Sequence, residues 1–405
     1  MGTCWTITKT KGGWRLERNG KPCYVNGAVA EKKFSELAGA GANAVRTQAR
    51  KNVLDRAHKH GLAALVNLHV RGERNGLDWN DAKQVKTQTV DVLKAVKRLK
   101  DHPAVMMWNL GNELDYIPPG RPYHARLWER LNDLAGEVKR VDPNHPVCTS
   151  VGTGRFDRKI EKIARACSAL DVLGINAFAD MEMAAGMARK HWPKPFLFST
   201  WGPTAHWQAP KTPWEAPIEQ SSSDKAQVLY ERYYGIIRAD RGHCLGSFVS
   251  YWGEKQETTH TWYGLYRDGM RTESIGIMTR IWSGAWPAKR APVILGIMIE
   301  EQAGRGDVRL APSSTNEARV YAYDPDQDNL SITWDIRPEV VIPRKSYAGS
   351  LEKPAQPLPG LILESEGTWA RFRAPQGQGA YRLFVQVSDD QGCAGYANVP
   401  FLVGR

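Results

Sequence analysis

The sequence has no apolar run that approaches the roughly 18 residues that a helix needs to cross a bilayer. Its first residues, Met1–Trp5, also lack the basic stretch and the following apolar stretch of a signal peptide. We therefore expect no transmembrane segment and no signal peptide in this chain. A leader removed before residue 1 would leave the same sequence.

Motifs for metals and cofactors are missing as well. The six cysteines show neither a Cys-x-x-Cys pair nor the cysteine–histidine spacing of a zinc site. No glycine-rich phosphate turn follows the first strand candidate. The sequence thus predicts no structural zinc and no cofactor. The even number of cysteines leaves two alternatives open, a disulfide such as Cys4–Cys23 or six small buried thiols.

No block of five or more basic residues occurs, although the formal net charge is +12 and the isoelectric point about 9.4. Scattered lysines and arginines do not form the dense stripe of a nucleic-acid-binding surface, so no nucleic-acid partner is expected. Dispersed positive charge favours attraction to an acidic polysaccharide or to an anionic envelope surface.

Tryptophan, in contrast, is plentiful, with 15 copies. Several lie in polar, loop-like segments outside the periodic apolar runs: Trp79, Trp201, Trp207, Trp214, Trp252 and Trp262. Exposed indole rings with a polar edge stack well on the apolar faces of sugars. These tryptophans indicate a glycan-binding surface, with a polysaccharide or oligosaccharide as the expected substrate.

Short apolar runs alternate with helix-like segments between residues 24 and 282. The eight strand candidates are Tyr24–Ala28, Ala44–Arg46, Ala63–His69, Val105–Leu110, Pro146–Thr149, Val172–Asn176, Pro195–Ser199 and Gly246–Trp252. A strand–helix unit repeated eight times predicts an α/β fold, a parallel sheet closed into a (β/α)8 TIM barrel. The competing doubly wound sheet usually carries the glycine-rich turn that is missing here.

A chain of 405 residues exceeds what one hydrophobic core usually holds, and its composition changes near Trp282–Pro287. From Ala291 onward, short alternating segments separated by proline and glycine predict an all-β immunoglobulin-like sandwich. We expect an N-terminal β element over residues 1–23, the barrel over 24–287 and the sandwich over 288–405.

The end of the fourth strand candidate carries the strongest catalytic signal. Catalytic side chains of a (β/α)8 barrel lie at the C-terminal ends of its strands. This strand ends in Trp108-Asn-Leu-Gly-Asn112-Glu113. Glu113 would face the mouth of the barrel, where a carboxylic acid can protonate a leaving oxygen. Asn112 beside it can hydrogen-bond a sugar hydroxyl, so Glu113 is the predicted catalytic acid.

The segment Trp108–Glu113 resembles the fourth-strand signature of clan A glycoside hydrolases, in particular the TIM barrel domains of family 2. Arg46 in Asn43-Ala-Val-Arg46 and His69 at the third strand end are also similar, and the resemblance covers roughly residues 20–285. It implies a glycoside hydrolase whose acid is Glu113. The residues expected to form the sugar site around it are Asn112, Arg46, His69, Asn176, Thr200, Trp201, Trp207, Trp252 and Trp262.

The seventh strand departs from the family pattern. Members end this strand Ser-Glu-aromatic-Gly with the Glu as nucleophile, whereas this chain has Ser199-Thr200-Trp201-Gly202. Phe178 likewise stands where a tyrosine often hydrogen-bonds that nucleophile. Because both the glutamate and the tyrosine of the family pattern are missing, a natural variant is favoured over a single engineered knockout. A hydroxyl without an adjacent base does not replace a carboxylate in attack on an oxocarbenium-like centre.

Three hypotheses follow from Thr200. The favoured one is an inverting hydrolase, in which another carboxylate activates a water in the space beside the threonine. The alternatives are a transglycosylase and a non-catalytic glycan-binding barrel associated with exopolysaccharide metabolism. The candidate bases are Glu254, Glu257 and Asp180, with Glu73 and Asp78 as weaker ones.

Aromatic loops and the resemblance together bear on the substrate. Trp207 and Trp214 share one loop and Trp262 lies in another, which favours an extended glycan over a small pocket. The spacing of these rings also favours cleavage within the glycan chain, and the resemblance implies a β-linked polysaccharide, most simply a β-glucan. Such a substrate predicts a periplasmic or secreted protein.

Two acidic segments lie in the predicted sandwich. Asp324-Pro-Asp326-Gln-Asp328 resembles the acidic turn of cadherin-like and PKD-like sandwiches, where spaced carboxylates can ligate Ca²⁺. A polar Asp-Pro turn is the simpler interpretation and leaves these three as a weak metal candidate. Asp389-Asp390-Gln391-Gly392 is interpreted as a hairpin turn.

Overall fold

The computed structural model describes residues 3–117, 122–300, 302–303, 306–340 and 353–404. The chain divides into two compact units. The barrel unit comprises residues 1–201 and 232–252, and the sheet unit comprises residues 202–231 and 253–405. Each unit is discontinuous because the chain leaves the barrel after Trp201 and returns to it at Arg232.

The chain begins with a small antiparallel sheet of three strands, β1 (Trp5–Thr10), β2 (Gly13–Arg18) and β3 (Lys21–Cys23). Trp5 and Leu16 are buried and belong to one hydrophobic cluster with Ala44 and Ala63, which begin two of the barrel strands. The Trp5 N–H also donates to the Asn144 carbonyl at 2.8 Å. The small sheet therefore covers the N-terminal end of the barrel, opposite the rim where catalytic groups are expected.

Eight parallel strands form the barrel. They are β4 (Val25–Val29), β5 (Ala44–Gln48), β6 (Ala63–Leu68), β7 (Val105–Asn112), β8 (Val147–Gly152), β9 (Val172–Asn176), β10 (Phe196–Trp201) and β11 (Cys244–Val249). Each pairs in parallel with the next, and β11 pairs with β4 to close the barrel. The predicted TIM barrel is confirmed, with all eight strand candidates in place.

Helices follow these eight strands one by one along the chain. They are α1 (Phe34–Gly39), α2 (Lys51–Lys59), α3 (Ala82–Leu99), α4 (Leu127–Val141), α5 (Phe156–Ala166), α6 (Met181–His191), α7 (Ser222–Arg232) and α8 (Glu273–Ser283). A 3₁₀ turn at Glu73–Asn75 precedes α3, and a π-helical turn at Tyr233–Arg238 follows α7. Asp81 caps α3, because its side chain accepts hydrogen bonds from two backbone N–H groups of the first turn.

The barrel strands are nearly continuous apolar runs because both of their faces are covered. In β7, for example, every residue from Val105 to Gly111 is buried. Such runs are typical of parallel strands with the barrel core on one side and helices on the other. A polar residue inside such a strand is therefore conspicuous, as Asn109 is in β7.

The sheet unit contains two larger sheets. Their strands are β14 (Val293–Ile299), β15 (Gln302–Ala303), β16 (Val308–Leu310), β17 (Thr315–Tyr323), β18 (Ser331–Pro338), β19 (Ile362–Glu366), β20 (Trp369–Arg373), β21 (Gly379–Ser388) and β22 (Ala394–Val403), after a two-stranded sheet of β12 (Tyr266–Arg267) and β13 (Met270–Arg271). One sheet has the order β15-β14-β17-β20-β19 and the other β16-β22-β21-β18. Pairing is antiparallel except between β16 and β22.

The two sheets share a core. Ala318 and Phe372 from the first sheet form one buried cluster with Leu383 and Phe401 from the second. The predicted succession of a barrel and antiparallel β-sheets is confirmed by this arrangement.

The structure decides between the two alternatives for the cysteines. All six cysteines are free, so the Cys4–Cys23 disulfide alternative is wrong. Burial raises the pKa of the Cys148 and Cys244 thiols, which keeps them protonated and inert. Among the described residues, no helix is both long and apolar enough to span a membrane.

Candidate active site

Polar side chains from five barrel strands meet at the C-terminal rim of the barrel. This strand-end network consists of Arg46, Asn67, Asn112, Glu113, Asn176, Ser199 and Thr200. Its members lie in or directly after β5, β6, β7, β9 and β10. Parallel strands of a barrel end at the same rim, which brings together residues that are far apart in sequence.

Arg46 is the centre of the network. Its Nε donates to Asn67 Oδ1 at 3.1 Å, and its Nη2 donates to Asn112 Oδ1 at 2.6 Å. Its Nη1 donates to the Ser199 carbonyl at 2.9 Å and to Thr200 Oγ1 at 2.5 Å. With a further hydrogen bond from Nη1 to Asn176 Oδ1, the guanidinium ties β5 to four other strands, β6, β7, β9 and β10.

Asn176 holds the carboxyl group of Glu113. Its Nδ2 donates to Glu113 Oε1 at 2.6 Å and to Asn112 Oδ1 at 2.9 Å. Its Oδ1 accepts from Arg46 Nη1 at 3.2 Å and from Ser199 Oγ at 2.8 Å. With both ends of its amide bonded, Asn176 has one orientation available and fixes one oxygen of Glu113.

The backbone around Glu113 adopts an unusual conformation. Glu113 has φ 49°, a left-handed value uncommon for a residue with a side chain, and Gly111 has φ 78°. The Glu113 N–H donates to the Ser150 carbonyl at 2.7 Å. A Cβ on Gly152 would lie 3.2 Å from the Glu113 carboxyl carbon, so glycine leaves room for the carboxyl group. Such local strain is common at functional sites.

The network has an unusual charge balance. Arg46 is buried, and this burial lowers the pKa of its guanidinium to about 10. All five of its hydrogen-bond acceptors are neutral oxygens. Within the described part of the barrel unit, Glu113 is the only carboxylate that hydrogen-bonds to a member of the network. The site thus offers one carboxyl group, three amides, two hydroxyls and one cation.

Thr200 lies at the position of the expected nucleophile. Its hydroxyl accepts the short hydrogen bond from Arg46, and its side chain is only partly buried. Phe178, at the place of the expected tyrosine, follows the end of β9 and brings no hydroxyl to the rim. The position where the family pattern places the nucleophile therefore offers no carboxylate for a covalent glycosyl-enzyme step.

His69 lies outside the strand-end network. It is exposed and lines a cleft of about 480 Å³ together with Arg71, Gln88, Asp91 and Arg98. Its assignment as a sugar-contacting residue stays a prediction.

The exposure expected for several tryptophans is wrong. Trp79, Trp201, Trp252 and Trp262 are buried, each with at most 2% of its surface exposed. A ring with no accessible face cannot stack on a sugar, so these four act as packing residues in this conformation. Of the predicted set, Trp207 is the exposed ring, with 51% of its surface accessible. Polar sequence neighbours misled the prediction because burial is decided by residues distant in sequence.

The base candidates in the barrel unit already accept hydrogen bonds from backbone N–H groups. Asp180 follows β9 and accepts the Phe178 N–H through Oδ1 at 3.1 Å. Glu73 accepts the His124 N–H at 2.8 Å. Asp78 is exposed and hydrogen-bonds within its own turn. Of the three, Asp180 lies nearest in sequence to a network residue, four positions after Asn176.

The base candidates in the sheet unit differ in burial. Glu254 is exposed and accepts the Gly269 N–H at 2.6 Å. Glu257 is 4% exposed, lies 2.6 Å from Lys255 Nζ and has His206 Nδ1 at 3.9 Å. The lysine neutralises the buried Glu257, which is the usual arrangement for a carboxylate shielded from water.

Other rim residues escaped the sequence analysis. Asn109 Nδ2 donates to Asn67 Oδ1 at 2.8 Å and extends the network into the barrel. The signal was a polar residue within an apolar strand. Asp115, two residues after Glu113, lies 2.6 Å from Lys159 Nζ, and both side chains are largely buried. Only the three-dimensional structure reveals this ion pair, since the two residues belong to different elements.

The weak metal candidate of the sheet unit has a different membership from the one predicted. Among the described residues, Asp324 and Asp328 can share an ion with Asp389. Asp326 does not join them, since its Oδ2 accepts the Arg290 N–H at 2.7 Å. Alternate residues of this turn point to different sides, which the even spacing of the aspartates concealed.

Solved structures with the same fold were found by comparison. One is a β-glucuronidase of Bacteroides uniformis, with a TM-score of 0.51 and 14% identity over 99% of this chain and 48% of that one. Another is a β-glucuronidase of Ruminococcus gnavus, with a TM-score of 0.52 and 16% identity over 70% of this chain and 53% of that one. At this identity the likeness shows the fold alone, and the chain spans about half of their length.

Sequence comparison agrees with the fold. β-Glucuronidase of Sus scrofa is 24% identical over 180 residues, which are 40% of this chain and 26% of that protein. Residues 24–208, from the first barrel strand to the loop after the seventh, match the description "Glycosyl hydrolases family 2, TIM barrel domain". Residues 24–208 of this chain are therefore similar to the TIM barrel domain of glycosyl hydrolase family 2.

Proposed function

We propose that this chain hydrolyses a β-linked glycan, with Glu113 as the proton donor to the leaving oxygen. The supporting observation is the Glu113 carboxyl group at the rim of a family 2 barrel, held by Asn176 at 2.6 Å. Its second oxygen has no hydrogen bond within the described residues and is available to a glycosidic oxygen. A carboxylic acid in this position can supply a rate factor of about 10² to 10⁴.

The missing second carboxylate supports an inverting mechanism. Retaining glycosidases place two carboxyl groups about 5–5.5 Å apart, and one of them bonds covalently to the sugar. Thr200 has no such carboxylate to offer, and Arg46 already donates to its hydroxyl. In the proposed step, Glu113 protonates the glycosidic oxygen while a water attacks the anomeric carbon from the opposite face. The base then takes the proton of that water.

We assign the base to Asp180. It belongs to the loop that follows β9, the strand whose last residue, Asn176, contacts Glu113. Its Oδ1 accepts a backbone N–H, which orients the carboxylate. Glu254 and Glu257 of the sheet unit are the alternatives and are included in the test.

The proposed substrate is a β-linked polysaccharide. The sequence favours a β-glucan, whereas the relatives found by comparison are named as β-glucuronidases. The net charge of +12 would attract a chain that carries uronic acids. A glycan panel therefore needs both neutral β-glucans and glucuronic-acid-containing polysaccharides. A polysaccharide substrate would also place the protein outside the cytoplasm.

A second candidate function is glycan binding without cleavage. The observation that favours it is the joint replacement of two residues of the family pattern by Thr200 and Phe178. A barrel that has lost its nucleophile retains the amides and the arginine that hydrogen-bond sugar hydroxyls.

Product analysis by NMR separates these functions. Wild type, Glu113→Gln and the control Glu36→Gln, a change at an exposed residue of α1, are incubated with the panel, and the anomer released first is recorded. We expect wild type and the control to release the α-anomer from a β-linked chain and Glu113→Gln to release none. A β-anomer or a transfer product would contradict inversion. Binding without cleavage by wild type would favour the second candidate.

A further inference from the structure

We propose a Ca²⁺ site in the sheet unit, formed by Asp324, Asp328 and Asp389. One carboxylate oxygen from each residue lies within 4.8 Å of the other two. Oxygens bound to one Ca²⁺ at 2.3–2.6 Å can be at most roughly 5 Å apart. The three oxygens therefore fit within one coordination sphere without a change in backbone position.

The fold brings two separate loops together at this point. Asp324 and Asp328 lie in the loop that carries the chain from β17 in one sheet to β18 in the other. Asp389 begins the turn between β21 and β22. Ser331, at the start of β18, pairs with Ser388, at the end of β21, so the two loops emerge side by side.

Two of the carboxylates have an oxygen that nothing in the described structure bonds. Asp324 is 8% exposed and Asp389 is 9% exposed. Their Oδ2 atoms are buried and have no hydrogen-bond partner. Burying a carboxylate oxygen without a hydrogen-bond partner costs free energy because the oxygen loses its hydration. A bound cation would remove this cost for both.

The other oxygens of these two side chains are held in place. Asp324 Oδ1 accepts the N–H groups of Asp326 at 2.7 Å and Asp328 at 3.2 Å. Asp389 Oδ1 accepts the N–H groups of Gln391 at 2.8 Å and Cys393 at 2.7 Å. Each loop therefore holds one oxygen of its carboxylate in place and leaves the other oxygen buried and, within the described structure, without a hydrogen bond.

Charge identifies the class of ligand. Asp328 carries an ion pair with Lys289, whose Nζ lies 2.7 Å from both carboxylate oxygens. Three carboxylates and one ammonium group leave a net charge of −2, which one divalent cation neutralises. Donors that are all oxygen suit Ca²⁺ better than zinc or copper, which favour nitrogen and sulfur. Water and backbone carbonyls can complete the coordination.

Calcium titration of the full chain tests this site. Protein treated with EDTA is titrated with CaCl₂ by calorimetry, and its melting temperature is measured with and without calcium. We expect wild type to bind Ca²⁺ and to melt at a higher temperature when calcium is present. In Asp389→Asn, the affinity should fall by at least about tenfold, because ligand charge sets the affinity of such sites.

Asp390→Asn is the matched control. It removes the same charge from the same turn, but Asp390 is exposed and, among the described residues, accepts a hydrogen bond from Gln391 alone. Asp390→Asn should bind Ca²⁺ as wild type does and show the same rise in melting temperature when calcium is present. Asp324→Asn repeats the test should Asp389→Asn fail to fold.

Three outcomes would overturn the site. The first is wild type that shows neither binding heat nor a melting shift up to about 10 mM calcium, above the range of weak extracellular sites. The second is an Asp389→Asn variant that binds like Asp390→Asn. The third is a larger response to Mg²⁺ than to Ca²⁺ at equal concentration.

Discussion

Thr200 Oγ1 lies 2.5 Å from Arg46 Nη1. A threonine hydroxyl thus accepts a hydrogen bond from a buried guanidinium at the position where the family pattern places a carboxylate. The cation is retained although its expected anion is absent, and neutral oxygens bond it instead. We therefore expect the reaction at this site to change strongly when a carboxylate is introduced at position 200.

Thr200→Glu is therefore expected to change the stereochemistry of the reaction. The new carboxylate would lie beside Arg46 and replace a neutral acceptor with an anion, which stabilises the buried cation. It would also supply the second carboxyl group of a retaining pair. We expect the first product to change from the α- to the β-anomer, measured by NMR. A 2-fluoro glycoside should label the variant covalently, as mass spectrometry would detect.

Thr200→Gln is the matched control, with nearly the same volume and no charge. It should give neither the retained product nor the covalent adduct. An unchanged α-product from Thr200→Glu would mean that position 200 does not face the anomeric carbon.

The assignment of the base to Asp180 leads to a second prediction. Asp180→Asn should lower kcat by about 10² to 10⁴, because a water without a base attacks poorly. Sodium azide, an anion that needs no base, should restore turnover and yield an α-glycosyl azide from a β-linked substrate. Glu254→Gln and Glu257→Gln should keep their activity and show no azide effect. Azide rescue of either of these two, with none in Asp180→Asn, would move the base to the sheet unit.

The sequence was sufficient to predict the barrel because the pattern of a strand followed by a helix is repeated along the chain. Each strand is a buried apolar run with a helix after it, and eight such units fit few folds. The same reasoning predicted that strand-end residues meet at one rim, since the ends of parallel barrel strands lie at one edge whatever the details of packing. Arg46, Asn112, Glu113, Asn176 and Thr200 were selected as strand-end residues, and the structure brings all five into one network.

Residues outside the strands were predicted less well, for a physical reason. Burial of Trp201, Trp252 and Trp262 depends on packing by distant segments, which a polar local sequence does not reveal. Asp389 was assigned to a turn because its partners, Asp324 and Asp328, lie some 60 residues away in sequence. Strand periodicity places residues on faces, whereas loop contacts depend on the full tertiary structure.

Asn176 is expected to matter for stability as well as for activity. Asn176→Ala removes the partners of Glu113 Oε1 and Ser199 Oγ and one acceptor of Arg46. Partly buried polar groups left unbonded should lower the free energy of unfolding by about 1–3 kcal/mol. Urea denaturation measures this loss. Asn52→Ala, on the exposed face of α2, is the control and should stay within about 0.5 kcal/mol of wild type.

His260 should make the stability of the sheet unit depend on pH. Burial, followed by the positive charges of Arg267 and Arg337, lowers the pKa of His260 from 6.5 to about 3. In the unfolded chain the imidazole becomes protonated below about pH 6.5, whereas in the folded chain it stays neutral. The unfolded state therefore binds more protons between pH 6.5 and 3, and stability is lost as the pH falls through this window.

The expected size of this pH dependence determines how it is measured. A slope of up to about 1.4 kcal/mol per pH unit gives a loss of about 2 kcal/mol between pH 6.5 and 5. Urea denaturation at pH 7.5, 6.5, 5.5 and 5.0 should show this slope in wild type. It should be shallower in His260→Gln, which has nothing to protonate. His243→Gln, a change at an exposed histidine whose side chain is 48% accessible, should keep the wild-type slope. Equal slopes in wild type and His260→Gln would mean that His260 is hydrated in the folded protein.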